Sequence, residues 1–434
     1  MKKFYVAAFL LLFPLIVYAG VSEKNLIDAV KANDYSATLN YLRKGVNPDA
    51  KDSMGNSVLV IAVNNGNEEI AGVLIKSGAY TSESYMRGMS VLMLAVNKQM
   101  EDTSTLLITY GADTTAKLSN GTNALMMACE RNLEKVVKNI VKRKQVDINA
   151  KTNTGITALS IALKEKNMTI ARFLHASGAK PSNFIEAAYV SDVKACENLL
   201  KNGADIEIKN ENGRTPLLIA FLNEDYAMAN FLLSKGADIN ARDNNGLTSV
   251  LAAGMENNGA LMSLCIDNKA DISVKDINGL SPIMFAIFIE NLAMTDSIIK
   301  YNSAAVNNID NNGLTPLALA VGMGNSAIAE KLINSGAYIN SKRSRRALNV
   351  AVETGNMDIV ELLIKRGARV NAKDYHGMSP LITAASMNNA EAVKFLLERG
   401  ARTGMRDSSG LTALDYAKKY ANDEIIGILE RFSK

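Results

Sequence analysis

The sequence is poor in the residues on which most catalytic and metal sites depend. Its 434 residues include no tryptophan, two histidines and three cysteines. His175 and His376 are far apart in the chain, and neither has an acidic partner at a recurring distance. Two isolated histidines without paired cysteines do not make a zinc site or a catalytic triad. We therefore predict no catalytic residue, no metal and no cofactor.

A long apolar run is absent everywhere except at the N-terminus. There, two lysines precede a nearly unbroken apolar stretch from Phe4 to Val17, and the small residue Ala19 follows. This order is typical of a signal peptide, which we assign to residues 1–19 with cleavage after Ala19. An uncleaved membrane anchor is the alternative, but the apolar stretch is shorter than the ~20 residues of a spanning helix. We expect an exported protein, periplasmic or secreted, with no membrane span in the mature chain.

A net excess of charge is also missing. The whole chain has 48 basic and 44 acidic residues, and loss of residues 1–19 removes two of the lysines. A chain so close to balance has no general electrostatic attraction for nucleic acid or membrane surfaces. We therefore predict no nucleic-acid partner, and the net charge gives no general case for binding to a membrane surface.

The sequence does contain a long-range period. With Leu317 as a phase marker, equivalent apolar residues recur mostly every 33 or 34 positions, and alanine always follows three positions later. The thirteen alanines are Ala29, Ala62, Ala95, Ala128, Ala162, Ala188, Ala220, Ala253, Ala286, Ala320, Ala351, Ala384 and Ala417. An invariant one-methyl side chain predicts a place where two helices pack too closely for a larger residue. A fixed period of this length is the signature of a repeat array.

Each repeat has the same predicted parts. Thr or Ser, as at Thr315, precedes an apolar helix as its N-cap, and Pro often occupies the first helical position. A second amphipathic helix ends at a glycine, which is present at nine of the twelve junctions and favours a left-handed cap. Asn-Gly pairs such as Asn245-Gly246 then predict β-hairpins between repeats.

This pattern of helix, turn, helix and hairpin resembles the ankyrin repeat. Segments such as "GRTPLLIA" and "GLTPLALA" are similar to the family's G-x-T-P-L-H-x-A, and "GADIN" to its G-A-D-V-N. The resemblance implies an all-α repeat solenoid of about 13 repeats over residues 20–434, with hairpin fingers. The N-terminal cap repeat covers about 22–47 and the C-terminal cap repeat about 410–434. The family's usual His after Pro-Leu is replaced here by Leu218, Ala318, Ile382 or Met284, so we expect apolar packing in place of its hydrogen bonds.

The cysteines and most methionines are predicted to be core residues. Cys129, Cys196 and Cys265 fall in helices of different repeats, two layers apart, which is too far for a disulfide. Met93, Met126, Met127 and Met284 occupy helix core phases, where methionine fills gaps.

Two breaks in the period are candidate functional features. The spacing shortens to 26 around residues 178–190, which predicts a missing finger, and to 31 around 338–350. The second break places four basic residues at a finger tip: Lys342, Arg343, Arg345 and Arg346. A solvated loop in a degraded repeat is the alternative for both.

The resemblance implies a non-catalytic protein-binding scaffold that uses its concave helix face and its fingers, and we expect it to be monomeric. Besides the basic tip, the predicted partner-binding residues are Tyr85, Arg87, Met89, Arg214, Tyr375 and His376. The alternatives are a secreted host-directed effector and an inhibitory or regulatory subunit of a periplasmic enzyme. The sequence does not identify the partner.

Overall fold

The computed structural model describes residues 22–85, 88–340, 347–420 and 422–433. Across these residues the chain forms 26 α-helices and very little strand. The chain divides into two compact units, one ending at Ser182 and the other beginning at Asn183. The division coincides with the shortened spacing near residues 178–190.

The N-terminal unit contains ten of these helices. In chain order they are α1 (Glu23–Lys31), α2 (Tyr35–Arg43), α3 (Val58–Asn64), α4 (Glu68–Lys76), α5 (Val91–Asn97), α6 (Glu101–Thr109), α7 (Ala124–Glu130), α8 (Glu134–Lys142), α9 (Ala158–Lys164) and α10 (Met168–Ala176). Within each pair the helices are antiparallel neighbours, and successive first helices pack on one another: α1 on α3, α3 on α5, α5 on α7 and α7 on α9.

The C-terminal unit continues the same arrangement. Its helices are α11 (Phe184–Tyr189), α12 (Val193–Lys201), α13 (Pro216–Leu222), α14 (Tyr226–Ser234), α15 (Ser249–Met255), α16 (Gly259–Asp267), α17 (Pro282–Phe288), α18 (Leu292–Tyr301), α19 (Pro316–Gly322), α20 (Ser326–Asn334), α21 (Ala347–Glu353), α22 (Met357–Lys365), α23 (Pro380–Ser386), α24 (Ala390–Glu398), α25 (Ala413–Lys419) and α26 (Asp423–Phe432). A short 3-10 helix, Ser303–Asn307, follows α18.

The thirteen alanines lie where the period predicts. Each is in the first helix of a pair, and none is more than 7% exposed. The first helices pack in succession, so a larger side chain at this position would have to displace a neighbouring helix. The close helix packing predicted at these alanines is confirmed.

The helix ends follow the predicted chemistry with two exceptions. The hydroxyls of Thr157, Thr215, Thr315, Ser379 and Thr412 accept hydrogen bonds from the N–H three residues later. Thr248 and Ser281 do not cap their helices, and their buried hydroxyl oxygens have no hydrogen-bond partner among the described residues. At Ser281 the N–H of Met284 donates instead to the backbone carbonyl of Ser281 at 2.9 Å.

The predicted glycine caps are confirmed. All nine glycines have positive φ: Gly45, Gly78, Gly111, Gly178, Gly203, Gly236, Gly336, Gly367 and Gly400. At two further junctions Lys144 (φ 55°) and Lys269 (φ 58°) adopt the same left-handed conformation.

The predicted hairpin fingers are mostly turns without strands. Among the described residues there is one two-stranded antiparallel sheet, β1 (Ser84–Tyr85) with β2 (Met89–Ser90), in which Ser84 pairs with Ser90 and Tyr85 with Met89. The other fingers are five-residue turns of the kind seen at Asp243–Leu247. There Gly246 has φ 77°, but Asn245 is not in the left-handed region. Asn-Gly therefore occupies the last two positions of a type I turn rather than the centre of a type I′ hairpin.

An aspartate at the start of the turn explains the difference in six fingers, those that begin at Asp52, Asp243, Asp276, Asp310, Asp374 and Asp407. Asp243 Oδ1 accepts from the N–H groups of Asn245 and Leu247 at 2.8 and 2.9 Å. The backbone N–H of Asp243 donates to the carbonyl of Leu247 at 3.0 Å, which closes the loop. An Asx turn of this type satisfies the backbone locally, so no strand ladder is required.

The buried positions that replace the family's histidine are apolar, as expected. Leu218, Ala318, Ile382 and Met284 are each 1% exposed. Polar contacts between repeats are nevertheless present elsewhere. Asn291 Oδ1 caps α18 by accepting from the N–H of Met294, and Asn291 Nδ2 donates to Asn257 Oδ1 of the preceding repeat at 2.6 Å.

The same double role recurs along both units. The asparagines that cap a second helix and also donate to the preceding repeat are Asn67, Asn167, Asn258, Asn291, Asn325 and Asn422. Finger tips are linked as well, because the N–H of Asn244 donates to the carbonyl of Asn212 at 3.0 Å. Hydrogen bonds at both ends of the first helices therefore join successive repeats.

Candidate functional site

Half of the predicted binding residues lie outside the described residues. These are Arg87 and the basic tip formed by Lys342, Arg343, Arg345 and Arg346. Their proposed role in binding stays a prediction.

The predicted residues of the described fingers differ in accessibility. Tyr85 and Met89 face each other across the β1–β2 ladder, and both are half-buried. Arg214 is not a free finger residue, because its Nε lies 3.5 Å from Oδ2 of Asp243, whose side chain is only 1% exposed. An arginine beside a buried carboxylate on the next turn stabilises the finger row, so it is less accessible to a partner than the sequence suggested.

Tyr375 and His376 form an exposed aromatic pair at one finger tip. Their ring centroids are 3.9 Å apart. The backbone carbonyl of His376 accepts from the N–H of Ser408, which fixes the tip against the next turn. This pair is accessible to a partner, in contrast to Arg214.

The three cysteines are buried free thiols. Burial raises the pKa of Cys129 and of Cys196 to about 12 and also raises that of Cys265. A thiol with so high a pKa is not a nucleophile at neutral pH. The prediction that these residues pack in the core is confirmed, as it is for Met93, Met126, Met127 and Met284.

The shortened spacing does remove a finger. The segment between α10 and α11 runs only from Ser177 to Asn183 and contains no finger turn. Ile156, on the last finger of the N-terminal unit, is 45% exposed. The residues at the equivalent position of the other described fingers are half-buried, with one exception. Leu411, on the last finger of the chain, is the other exposed case at 37%.

A cleft adjoins the finger of Ile156 within the N-terminal unit. Its volume is about 400 Å³. Residues from two fingers and from α7 and α9 line it, among them Thr122, Met126, Thr154, Ile156, Ile161 and Lys164. The lining contains both polar and apolar side chains.

The most distinctive surface lies in the C-terminal unit, where the first helices end. The last residues of three successive helices are Leu222 in α13, Met255 in α15 and Phe288 in α17. We call these three residues the apolar row. Met255 is 46% exposed and Phe288 is 66% exposed, while Leu222 is half-buried. Because α13 packs on α15 and α15 on α17, the three helix ends lie side by side.

The equivalent positions of the N-terminal unit are polar. They are Asn64, Asn97, Glu130 and Lys164. An exposed phenylalanine beside an exposed methionine is therefore a local departure from the repeat, not a property of the fold. Apolar side chains grouped on a surface indicate an interaction site.

Acidic residues border the apolar row. Glu224, Glu256 and Glu290 are exposed and follow the ends of the same three helices by one or two residues. Glu224 and Glu290 each accept from the capping asparagine of the next repeat, at 3.1 and 3.3 Å. The row thus combines an apolar centre with a negative border.

Charge is strongly segregated along the chain, although its sum is small. Residues 124–182 contain 11 basic and 4 acidic residues, whereas residues 183–340 contain 10 basic and 18 acidic residues. The near-zero net charge of the whole chain conceals this division. A count taken repeat by repeat would have revealed it.

Two further findings concern the described residues as a whole. None of their helices is long and apolar enough to cross a membrane. No group of three or more His, Cys, Asp or Glu side chains within them is placed to hold a metal ion.

Comparison with known proteins agrees with the repeat architecture. A family model described as ankyrin repeats (3 copies) matches residues 26–118, 92–185, 184–276, 249–343 and 348–431. No curated protein matches the chain.

Proposed function

The chain belongs to the ankyrin repeat family, and from that premise we propose that it is a non-catalytic scaffold whose apolar row binds a protein partner. Ankyrin repeats are generally protein–protein interaction modules. The partner segment that fits best is cationic and carries apolar side chains, because the row has an apolar centre and an acidic border.

The exposure of Phe288 is the observation that carries this proposal. An aromatic side chain left 66% exposed on a rigid helix end gains free energy when a partner covers it. Aromatic residues are enriched among the side chains that dominate binding energy at interfaces. The surrounding helices are already packed, so binding requires little ordering of the scaffold.

The negative charge of residues 183–340 supports a cationic partner in a second way. Charge of one sign over a surface accelerates association with a partner of opposite charge and reduces binding of like-charged proteins. This effect weakens as salt screens the charges over about 10 Å at 0.1 M. Association should therefore be slower at high ionic strength.

Pull-down of partners with matched variants tests the proposal. Tagged protein carrying Phe288→Asp and Met255→Asp should lose its partner, identified by mass spectrometry, whereas Asn64→Asp with Asn97→Asp should keep it. Both pairs add two negative charges at equivalent helix ends, so a difference between them reports the loss of apolar contact. Equal recovery of the same partner by both variants would overturn the proposal.

The same proposal includes location. We expect the chain to be exported through residues 1–19 and to act as a monomer in the periplasm or outside the cell. A host-directed effector or an inhibitory subunit of a periplasmic enzyme would use the same surface. Fractionation with N-terminal sequencing of the mature protein tests export: a start at Gly20 in the periplasm or medium supports it, and a cytoplasmic chain that starts at Met1 contradicts it.

A further inference from the structure

A second cleft lies in the N-terminal unit, and no finger residue lines it. It has a volume of about 450 Å³ and is formed where α8 ends and α10 packs beside it. Six residues line it: Lys138, Val141, Lys142, Lys144, Phe173 and Ser177. The volume is within the range of small-molecule sites.

The lining has two distinct parts. Val141 and Phe173 are half-buried and form an apolar floor. Three lysines and one hydroxyl surround this floor. Lys138 Nζ lies over the Phe173 ring, 5.9 Å from its centroid, so one cation already lies beside the apolar floor.

Two of the three lysines have no partner of their own. Lys138 pairs with Glu134 in α8. The side chains of Lys142 and Lys144 make no hydrogen bond or ion pair with any residue that the structure describes. Since residues 124–182 contain 11 basic and only 4 acidic residues, little nearby negative charge offsets them.

The position of Lys144 adds a structural observation. It occupies the left-handed cap position, at φ 55°, that is glycine after nine other helices. Lys269 has the same conformation in the C-terminal unit, so the conformation alone does not define a site. What distinguishes Lys144 is the combination with two further lysines and an apolar floor.

We propose that this lysine cleft binds a small molecule with a phosphate group on an apolar body. Lysine ammonium groups act as point charges for phosphate, and Val141 with Phe173 would cover the apolar part of the ligand. Either a free phosphorylated amphiphile or the headgroup region of an anionic lipid supplies this chemistry. The site is independent of the apolar row, and its failure would leave the proposed scaffold function unaffected.

Calorimetric titration of the full chain with octyl phosphate tests the chemistry. Octyl phosphate should bind about tenfold or more tightly than inorganic phosphate, since only the former buries apolar surface, and octanol should bind weakly or not at all.

Vesicles of phosphatidylglycerol form a second arm of the experiment. Retention of the protein on them identifies lipid as the source of the phosphate group, and binding of soluble octyl phosphate alone identifies a free amphiphile. Absence of octyl phosphate binding overturns the proposal. A chain that binds heparin but not octyl phosphate overturns it as well.

Variants separate binding from folding. Lys142→Gln with Lys144→Gln should weaken octyl phosphate binding about tenfold or more. The matched pair Lys235→Gln with Lys269→Gln removes a lysine near Phe231 and a lysine at a left-handed cap in the acidic unit, and should leave binding unchanged.

Lys144→Gly provides a check that a folding defect cannot imitate. Glycine is the preferred residue at φ 55°, so the variant should keep or raise the Tm while it weakens octyl phosphate binding. If Lys144→Gly and the separate double variant, Lys142→Gln with Lys144→Gln, both bind octyl phosphate as tightly as the parent chain, the proposal is contradicted.

Discussion

Gly254 lies so close to Phe285 that a Cβ added to the glycine would be 3.2 Å from the Cβ of Phe285. Gly254 is the next-to-last residue of α15, a position that is Val63, Val96 or Val321 in sister helices. A small residue in α15 therefore makes room for a large one in α17. Phe285, which occupies this space, lies in the same helix as the exposed Phe288.

Restoring valine at this position should disturb that packing. We expect Gly254→Val to lower the free energy of unfolding by about 1–3 kcal/mol, because it overpacks a filled contact. Urea denaturation of the variant measures the change. Gly259→Val is the control, since a Cβ at Gly259 meets no atom within 4 Å, and a similar loss in both variants would contradict the packing explanation.

The asparagine contacts between repeats give a second prediction. Asn291→Ala removes both the cap on α18 and the hydrogen bond to Asn257, so we expect a loss of about 1–2 kcal/mol in the free energy of unfolding. Asn291→Asp keeps the capping oxygen and loses only the donor. Its smaller loss in the same urea experiment would separate the two contributions, and an alanine variant as stable as the parent chain would show that neither matters.

The repeat architecture could be predicted because it depends on short-range rules that recur. The thirteen alanines and the nine glycine caps each reflect a local steric requirement that reads directly from residue type. The finger geometry could not be derived in the same way. Asp243 and its equivalents satisfy the turn from a side chain, and this competes with strand pairing in a way that the Asn-Gly signal does not express.

The candidate surface was the harder part to predict. Phe288 occupies a helix-end position that is polar in the N-terminal repeats, but the extent of its exposure depends on the side chains packed around it. The contact between Arg214 and Asp243 was not predicted for a related reason, since the buried carboxylate of Asp243 belongs to the next repeat. Contacts of this kind, between residues of different repeats, do not follow from the sequence pattern of a single repeat.

Stability at low pH should depend on the last finger. The hydroxyl of Tyr416 donates to Oδ2 of Asp407 at 2.8 Å. Burial raises the pKa of Asp407, but this hydrogen bond and those from the backbone N–H groups of Leu411 and Ser409 outweigh it, so the pKa lies below its ordinary value. The stabilisation is therefore fully present above the unfolded pKa of about 3.9 and is lost as the pH falls below it.

Tyr416→Phe tests this dependence. The variant should be about 1 kcal/mol less stable than the parent chain at pH 7, and the difference should shrink as the pH falls from 4 towards 2. Urea unfolding across that range measures it. Tyr420→Phe serves as the comparison, because Tyr420 is 50% exposed. A difference that persists unchanged at the lowest pH would contradict the assignment.

Thiol labelling should report the burial of the cysteines. With the pKa values of Cys129 and Cys196 near 12, a thiol reagent at pH 8 should leave the native chain unmodified. All three cysteines should react once urea unfolds the protein. Rapid labelling of any one of them in the native chain would show that its helix opens far more readily than its packing indicates.

Photo-crosslinking from the apolar row is the most direct test of the scaffold account. A photoreactive amino acid at position 288, introduced in cells that produce the protein, should form an adduct with one discrete partner whose crosslinked segment is basic and contains apolar residues. The same group at position 97, the equivalent helix end in the N-terminal unit, should not. Equal adducts at both positions, or none at 288 when another surface captures the partner, would contradict the claim that the apolar row is the binding surface.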